Sequence, residues 1–164
     1  MFDVITYPDP RLKQVATPVN VFDDALRAFV RDLEQTMRGG PPSVGIAAPQ
    51  VGSTQRIAIV DVSSRPKTRS HGRLVLINPV ITRRDGDVIG REGCLSLPDF
   101  TGNVMRAERI EVAAFDENGD RNTYVFEEFE ARAVQHEIDH LDGLLFLDRL
   151  VSRRNDLFRR KVYK

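Results

Sequence analysis

Residues 135–140 read QHEIDH, and the spacing inside that hexapeptide dictates what the rest of the fold must supply. In an α-helix of about 3.6 residues per turn, His136 and His140 stand one above the other on one face, spaced to grip a single metal ion. Glu137 lies beside that face, placed to take a proton from a water rather than to bind the ion. A catalytic centre of this kind usually has three protein ligands and leaves the fourth position to water. The fold must therefore bring another segment, carrying a third ligand, against this helix.

The helix is predicted from about Glu128 to Leu141, with Val134, Ile138 and Leu141 as its apolar back and the histidines on another side, facing a cleft. A metzincin would place a third histidine six residues after His140; Gly143 is correctly spaced, but Phe146 stands at the ligand position. A thermolysin-like site would use a downstream glutamate. No glutamate follows Glu137, and Asp142, Asp148 and Asp156 are weak downstream candidates. The upstream candidates are His71 and Cys94. His71 falls in the polar loop SSRPKTRSHG (63–72), where a solvated histidine is expected. Cys94 falls in REGCLSLP (91–98), where Gly93 and Pro98 favour an extended chain with close backbone approach. The chain's single cysteine excludes an internal disulfide and is a buried apolar residue, a reactive thiol or a ligand. Beside a helix that lacks one ligand, Cys94 is the preferred candidate.

The 164 residues suit one domain, 1–164, with a short basic tail over 149–164. Lysine plus arginine and aspartate plus glutamate both number 24, so no global field draws the chain to DNA or to a membrane. The start, MFDVITYPDPRLK, breaks any apolar signal run with Asp3 and two prolines, and no stretch approaches the ~20 apolar residues of a span. The expectation is a soluble, cytoplasmic protein, or a processed organellar form. A first helix is predicted from about Asn20 to Arg38 on the recurrence of Phe22, Leu26, Phe29, Leu33 and Met37, ended by Gly39–Gly40 and two prolines. Strands are predicted at 56–62, 73–81, 109–115 and 122–126, the last two joined by a DENGD hairpin in which Asn118–Gly119 supply positive φ. The tail after Asp148 reads as a solvated or fraying helix.

Three stretches taken together, VGIAAPQVG (44–52), EGCLSLP (92–98) and QHEIDHLDG (135–143), resemble the peptide deformylases in order and separation. The similarity extends to YPDPRLKQVATPV (7–19), IVDV (59–62), LINP (76–79), Val104, Arg106 and EVAAF (111–115), in effect from residue 1 to about 150. The resemblance implies an α+β fold, with antiparallel β-strands surrounding a central helix that carries the HExxH motif. It implies removal of the N-formyl group from the initiator methionine of nascent polypeptides, with release of formate. One divalent metal ion is implied, held by Cys94, His136 and His140; ferrous iron is the family's usual ion, and zinc, nickel or cobalt can occupy its site. With Glu137 as base, the Leu95 N–H and the Gln50 side-chain amide are implied donors to the oxyanion. Gly45 is expected to let backbone approach the substrate, and Val44, Phe129 and Ala133 to form the slot for the methionine side chain. The chain departs from the family's pattern at Ser43, where glycine is common, and at Thr101, near which many members carry a basic residue. Its tail is shorter than the basic helix that docks some members on the ribosome; Arg153, Arg154, Arg159, Arg160 and Lys161 are the corresponding candidates.

Overall fold

The computed structural model describes residues 1–160. In chain order it comprises α1 (Asp24–Gly39), β1 (Gly45–Ala47), β2 (Ile57–Val60) and β3 (Leu74–Asp85), then β4 (Val88–Cys94), β5 (Leu97–Arg106), β6 (Arg109–Phe115) and β7 (Arg121–Glu127). The helix α2 (Glu128–Leu141) and a short strand β8 (Leu157–Arg159) follow. Strand pairing is antiparallel throughout, in a five-stranded sheet ordered β1-β2-β3-β6-β7 and a three-stranded sheet ordered β4-β5-β8. No helix of the described residues is long and apolar enough to cross a membrane.

The two-residue period of a strand sends alternate side chains to opposite faces, and both faces of the larger sheet's centre are covered. Ile57, Ile59, Val75 and Ile77 point to α1, where they meet Leu26, Val30, Leu33 and Met37. Val60, Leu74, Leu76, Ile110 and Val112 point the other way, onto Ala131, Ala133, Val134 and Ile138 of α2. Burial on both faces explains why β2 and the start of β3 read as continuous apolar runs rather than alternating ones. A third cluster, built from Leu12, Cys94, Leu97, Val104, Leu145 and Phe146, ties the smaller sheet to the segments flanking it.

Sequence and structure agree on α2 and β6, nearly so on β2 and β7, and differ instructively elsewhere. α1 begins at Asp24 rather than near Asn20, because the Asp23 carboxylate caps it by accepting from the Leu26 N–H at 2.9 Å. β3 runs four residues beyond its predicted end. In the DENGD turn only Gly119 has positive φ, and the Asp116 carboxylate accepts from the N–H groups of Asn118 and Asp120. The whole smaller sheet is additional to the sequence reading. Gly90, Gly93, Gly102 and Pro98 weaken the β signal of its strands, so their order rests on pairing rather than propensity. The described part of the tail is not helical: Leu157–Arg159 forms β8 against Phe100–Gly102. Lys161 lies outside the described residues.

Candidate metal centre

α2 is unusual in being buried almost all round from Glu130 to Leu141, with Arg132 as the more exposed exception. Its histidines face the smaller sheet. The β4–β5 hairpin reverses at Leu95–Ser96, and a register shift between Gly93 and Cys94 re-aims the strand end, as bulges beside active sites commonly do. That shift delivers the Cys94 Sγ to 3.3 Å from His140 Nε2. Ligand atoms of Cys94, His136 and His140 all lie within 4.8 Å of one another, and all three residues are buried. One thiol and two imidazoles are a donor set suited to zinc or ferrous iron.

The surroundings fix the orientation of these side chains. His136 Nδ1 donates to Glu92 Oε1 at 2.8 Å, which leaves Nε2 for the cluster. Burial disfavours the charged form of His136, but the adjacent Cys94 and Glu92 outweigh it and hold its pKa well above the ordinary value. For His140, burial and the neighbouring His136 act together and hold the ring neutral, the form a ligand needs. Its Nδ1 is buried without a hydrogen-bond partner among the described residues.

Glu92 itself is almost fully buried and anchors an ionic network. Arg106 donates to both its oxygens at 2.9 Å, and Arg132 adds a bond of 2.7 Å. Arg106 also pairs with Asp139 of α2, which Arg149 approaches at 3.2 Å. Burial would raise the Glu92 carboxyl, yet Arg106 and His136 hold it far below the usual carboxylate range. The sequence reading did not single out Glu92, Asp139 or Arg132; the strand that carries Glu92 was itself not legible, so no local signal turned these charges inward.

Glu137 Oε1 is buried and has no hydrogen-bond partner among the described residues. Burial lifts this carboxyl to about 7, with the nearby His136 opposing the rise. A Cβ on Gly45 would come 2.5 Å from Glu137 Oε2. Gly45 thus makes room for the glutamate, a nearer constraint than the approach of substrate expected from the sequence. The Ser43 hydroxyl donates to the Gly45 carbonyl at 2.8 Å, bracing the start of β1.

Gln50 follows β1 on a 3₁₀ turn (Ala48–Val51) that orients its amide. Its Oε1 accepts from the Ala47 N–H at 3.0 Å, while Nε2 donates to Ser96 Oγ at 3.1 Å and reaches Cys94 Sγ at 3.6 Å. The N-terminal segment ties these motifs together, the Ile5 N–H donating to the Gln50 carbonyl at 2.7 Å and the Tyr7 N–H to the Ser96 carbonyl at 2.8 Å. A cavity of about 550 Å³ opens beside the cluster. Of the ten residues expected at the site, Val44, Gly45, Gln50, Cys94, Leu95, Phe129, Ala133, His136 and Glu137 line it, and His140 lies buried beneath.

His71 is remote from the cluster and is not simply solvated. Its Nδ1 donates to the buried Glu130 carboxylate at 2.6 Å and its backbone N–H to the other oxygen at 2.7 Å, pinning the 63–72 loop to α2. Thr101 is approached by Arg91, whose Nη1 donates to its hydroxyl at 3.3 Å.

A buried His-Glu-x-x-His helix closed by a cysteine sulfur, with an unpartnered Glu137 oxygen beside the cavity, defines a metal-dependent hydrolase. A family profile described as polypeptide deformylase matches residues 1–156. Peptide deformylases from Acidobacterium capsulatum and Alkalilimnicola ehrlichii are 43% and 44% identical, over 98% and 100% of this chain and 93% and 90% of their own lengths. Among solved structures, the Legionella pneumophila peptide deformylase is 36% identical, with a TM-score of 0.86 over 94% of this chain and 89% of that one. The Ehrlichia chaffeensis enzyme gives 0.88 at 33% identity, over 93% and 89%. The chain belongs to the polypeptide deformylase family, the metal-dependent hydrolases that act on N-formyl-methionyl peptides.

Proposed function

We propose that this chain removes the formyl group of nascent polypeptides at a centre in which Cys94, His136 and His140 hold one divalent ion and Glu137 moves the protons. The observation that carries the assignment is the Glu137 carboxylate oxygen, buried and unpartnered next to three ligand atoms that lie within 4.8 Å of one another. A divalent ion bound there supplies Lewis acidity, lowering the pKa of water toward ~7 and polarising a carbonyl oxygen. Ferrous iron is the proposed resident ion, with zinc, nickel and cobalt as substitutes for the same donors.

The remaining work falls to the protein's own groups. The Glu137 carboxylate accepts the proton of the attacking water and then delivers it to the departing amine nitrogen as the C–N bond breaks. A carboxyl lifted to about 7 is well matched to a proton that must be taken and returned near neutrality. As charge grows on the formyl oxygen, the Gln50 Nε2–H and the Leu95 N–H donate to it, Gln50 exchanging its bond to Ser96 for one to the substrate. Val44, Phe129 and Ala133 form an apolar slot beside the base for the methionine side chain. Glu92 is a positioning residue, since it holds His136 by Nδ1 and touches no reacting atom.

The deciding experiment is formate release by anaerobically purified protein from a formyl-Met peptide, beside its acetyl-Met counterpart. Release from the formyl peptide alone is expected; silence from folded, metal-loaded protein would refute the assignment. The cytoplasm is the proposed compartment and the ribosome a proposed partner through the exposed Arg153 and Arg154. Co-sedimentation with ribosomes that survives Arg153→Glu with Arg154→Glu would remove that contact.

A further inference from the structure

The cavity rim carries a charge that the molecule as a whole lacks. Basic and acidic side chains balance at 24 each, yet Arg65, Arg91 and Arg160 all line the opening of the cavity. Three separate segments deliver them. Arg65 comes from the loop that His71 pins to Glu130, and its guanidinium lies 3.8 Å from the centre of the Phe129 ring. Arg91 projects from β4 and stacks 3.9 Å from the centre of the Phe158 ring, with hydrogen bonds to Asn103 and Thr101. Arg160 continues β8, its N–H donating to the Asp99 carbonyl at 2.7 Å, and its guanidinium lies over Gly93, where a Cβ would collide with it.

Among the described residues, none of the three is in an ion pair; the partners above are aromatic rings or neutral oxygens. The carboxylates that line the same cavity do not neutralise them. Glu92 is engaged by Arg106, Arg132 and His136, and Glu137 sits at the cluster. An arginine stacked on an aromatic face keeps its full charge and presents its N–H edge in a fixed orientation. A cleft lined by one sign of charge concentrates ligands of the other.

We infer that Arg65, Arg91 and Arg160 select polypeptides that carry carboxylate side chains in the residues following the initiator methionine. The inference rests on the deformylase reading, in which the formyl end lies at the cluster and the next residues cross the rim. A guanidinium–carboxylate contact is charge-assisted and bidentate, so it discriminates between side chains, whereas a contact with peptide carbonyls would treat all sequences alike.

The test compares kcat/KM for formyl-Met-Ala-Glu, formyl-Met-Ala-Gln and formyl-Met-Ala-Lys, each as the C-terminal amide. The order Glu, Gln, Lys is expected, with Glu above Lys by about fivefold or more, carried in KM. The preference should collapse near 1 M salt, where screening acts within about 3 Å. Arg91→Glu combined with Arg160→Glu should invert the order in favour of Lys, a gain that misfolding cannot produce. Equal kcat/KM for the three peptides, or an order unchanged in the double variant, would overturn the proposal. If the double variant turns over none of them, the wild-type order and its salt dependence decide. A rim that serves RNA instead would leave the peptide order flat while short RNA inhibited the enzyme. Absence of formate from every peptide would sink the deformylase reading itself, a separate result.

Discussion

In the proposed mechanism two buried residues, Glu137 and Cys94, divide the chemistry between them, and their substitutions should fail differently. Glu137→Ala is expected to retain bound metal and lose turnover by about 10²- to 10⁴-fold, because only the proton carrier is removed. Cys94→Ala should lose metal content, since two imidazoles remain where three donors were; metal analysis beside formate release separates the two outcomes. Gly45 offers a test of packing against the base. In Gly45→Ala the new methyl would sit 2.5 Å from Glu137 Oε2 and push that carboxylate aside. Turnover should fall at least about tenfold, since displacements near 1 Å cost that and more, with little change in melting temperature. A variant with normal kcat would show that the carboxylate has room to move. The HExxH spacing was legible at this scale because it is a property of one helix, whereas the unpartnered oxygen of Glu137 was not, being defined by what surrounds it.

Elements whose order is borrowed from their neighbours were the ones the sequence concealed. β8 is three residues long, from a basic tail that reads as a solvated or fraying helix, and it exists through pairing with Phe100–Gly102. Its Leu157 joins the cluster of Leu97, Phe100 and Phe146, and Phe158 supports Arg91. Truncation after Asp156 should therefore cost about 1–3 kcal/mol of stability and weaken peptide binding at the rim, read as a lower melting temperature and a raised KM. An unchanged KM would mean that β8 contributes nothing to substrate binding. The 63–72 loop shows the same dependence. Its composition is that of an ordinary mobile loop, but the buried Glu130 carboxylate, satisfied by two donors from His71, fixes its end to α2.

The whole molecule combines an ionic network with a metal centre, and both make stability depend on conditions. Burial alone would raise Glu34 and Asp61, but Arg73 and Arg38 hold Glu34 below its ordinary value, and Ser63 and Arg38 do the same for Asp61. Glu92 is depressed further. Groups with lowered folded pKa values stabilise fully above their unfolded values, and that contribution is lost as pH falls through the folded ones. The contribution of these pairs to the melting temperature should thus be constant down to about pH 5 and be lost below about pH 4, on top of the opposite slope that the raised Glu137 carboxyl gives as pH falls from about 7. A profile with no such loss down to pH 2 would show that these pairs add nothing. Removal of the metal with a chelator should lower the melting temperature by roughly 5–10 °C at saturating ion, because an ion that binds only the folded state stabilises it by mass action.

The amino-acid order alone was enough for α2, for β2, β3, β6 and β7, and for the two histidines with their glutamate, because these signals reside in neighbours a few positions apart. It also carried the three motifs whose resemblance pointed to the family. The sequence preferred Cys94 to His71, but the contact of 3.3 Å that brings Cys94 to His140 across 46 residues depends on packing and on a bulge at the end of β4. Packing likewise assembled the glycine-bearing strands of the smaller sheet and brought Arg65, Arg91 and Arg160 to one rim. None of those contacts is favoured by local propensity; each is stable only once the partner strand, ring or carboxylate is already in place.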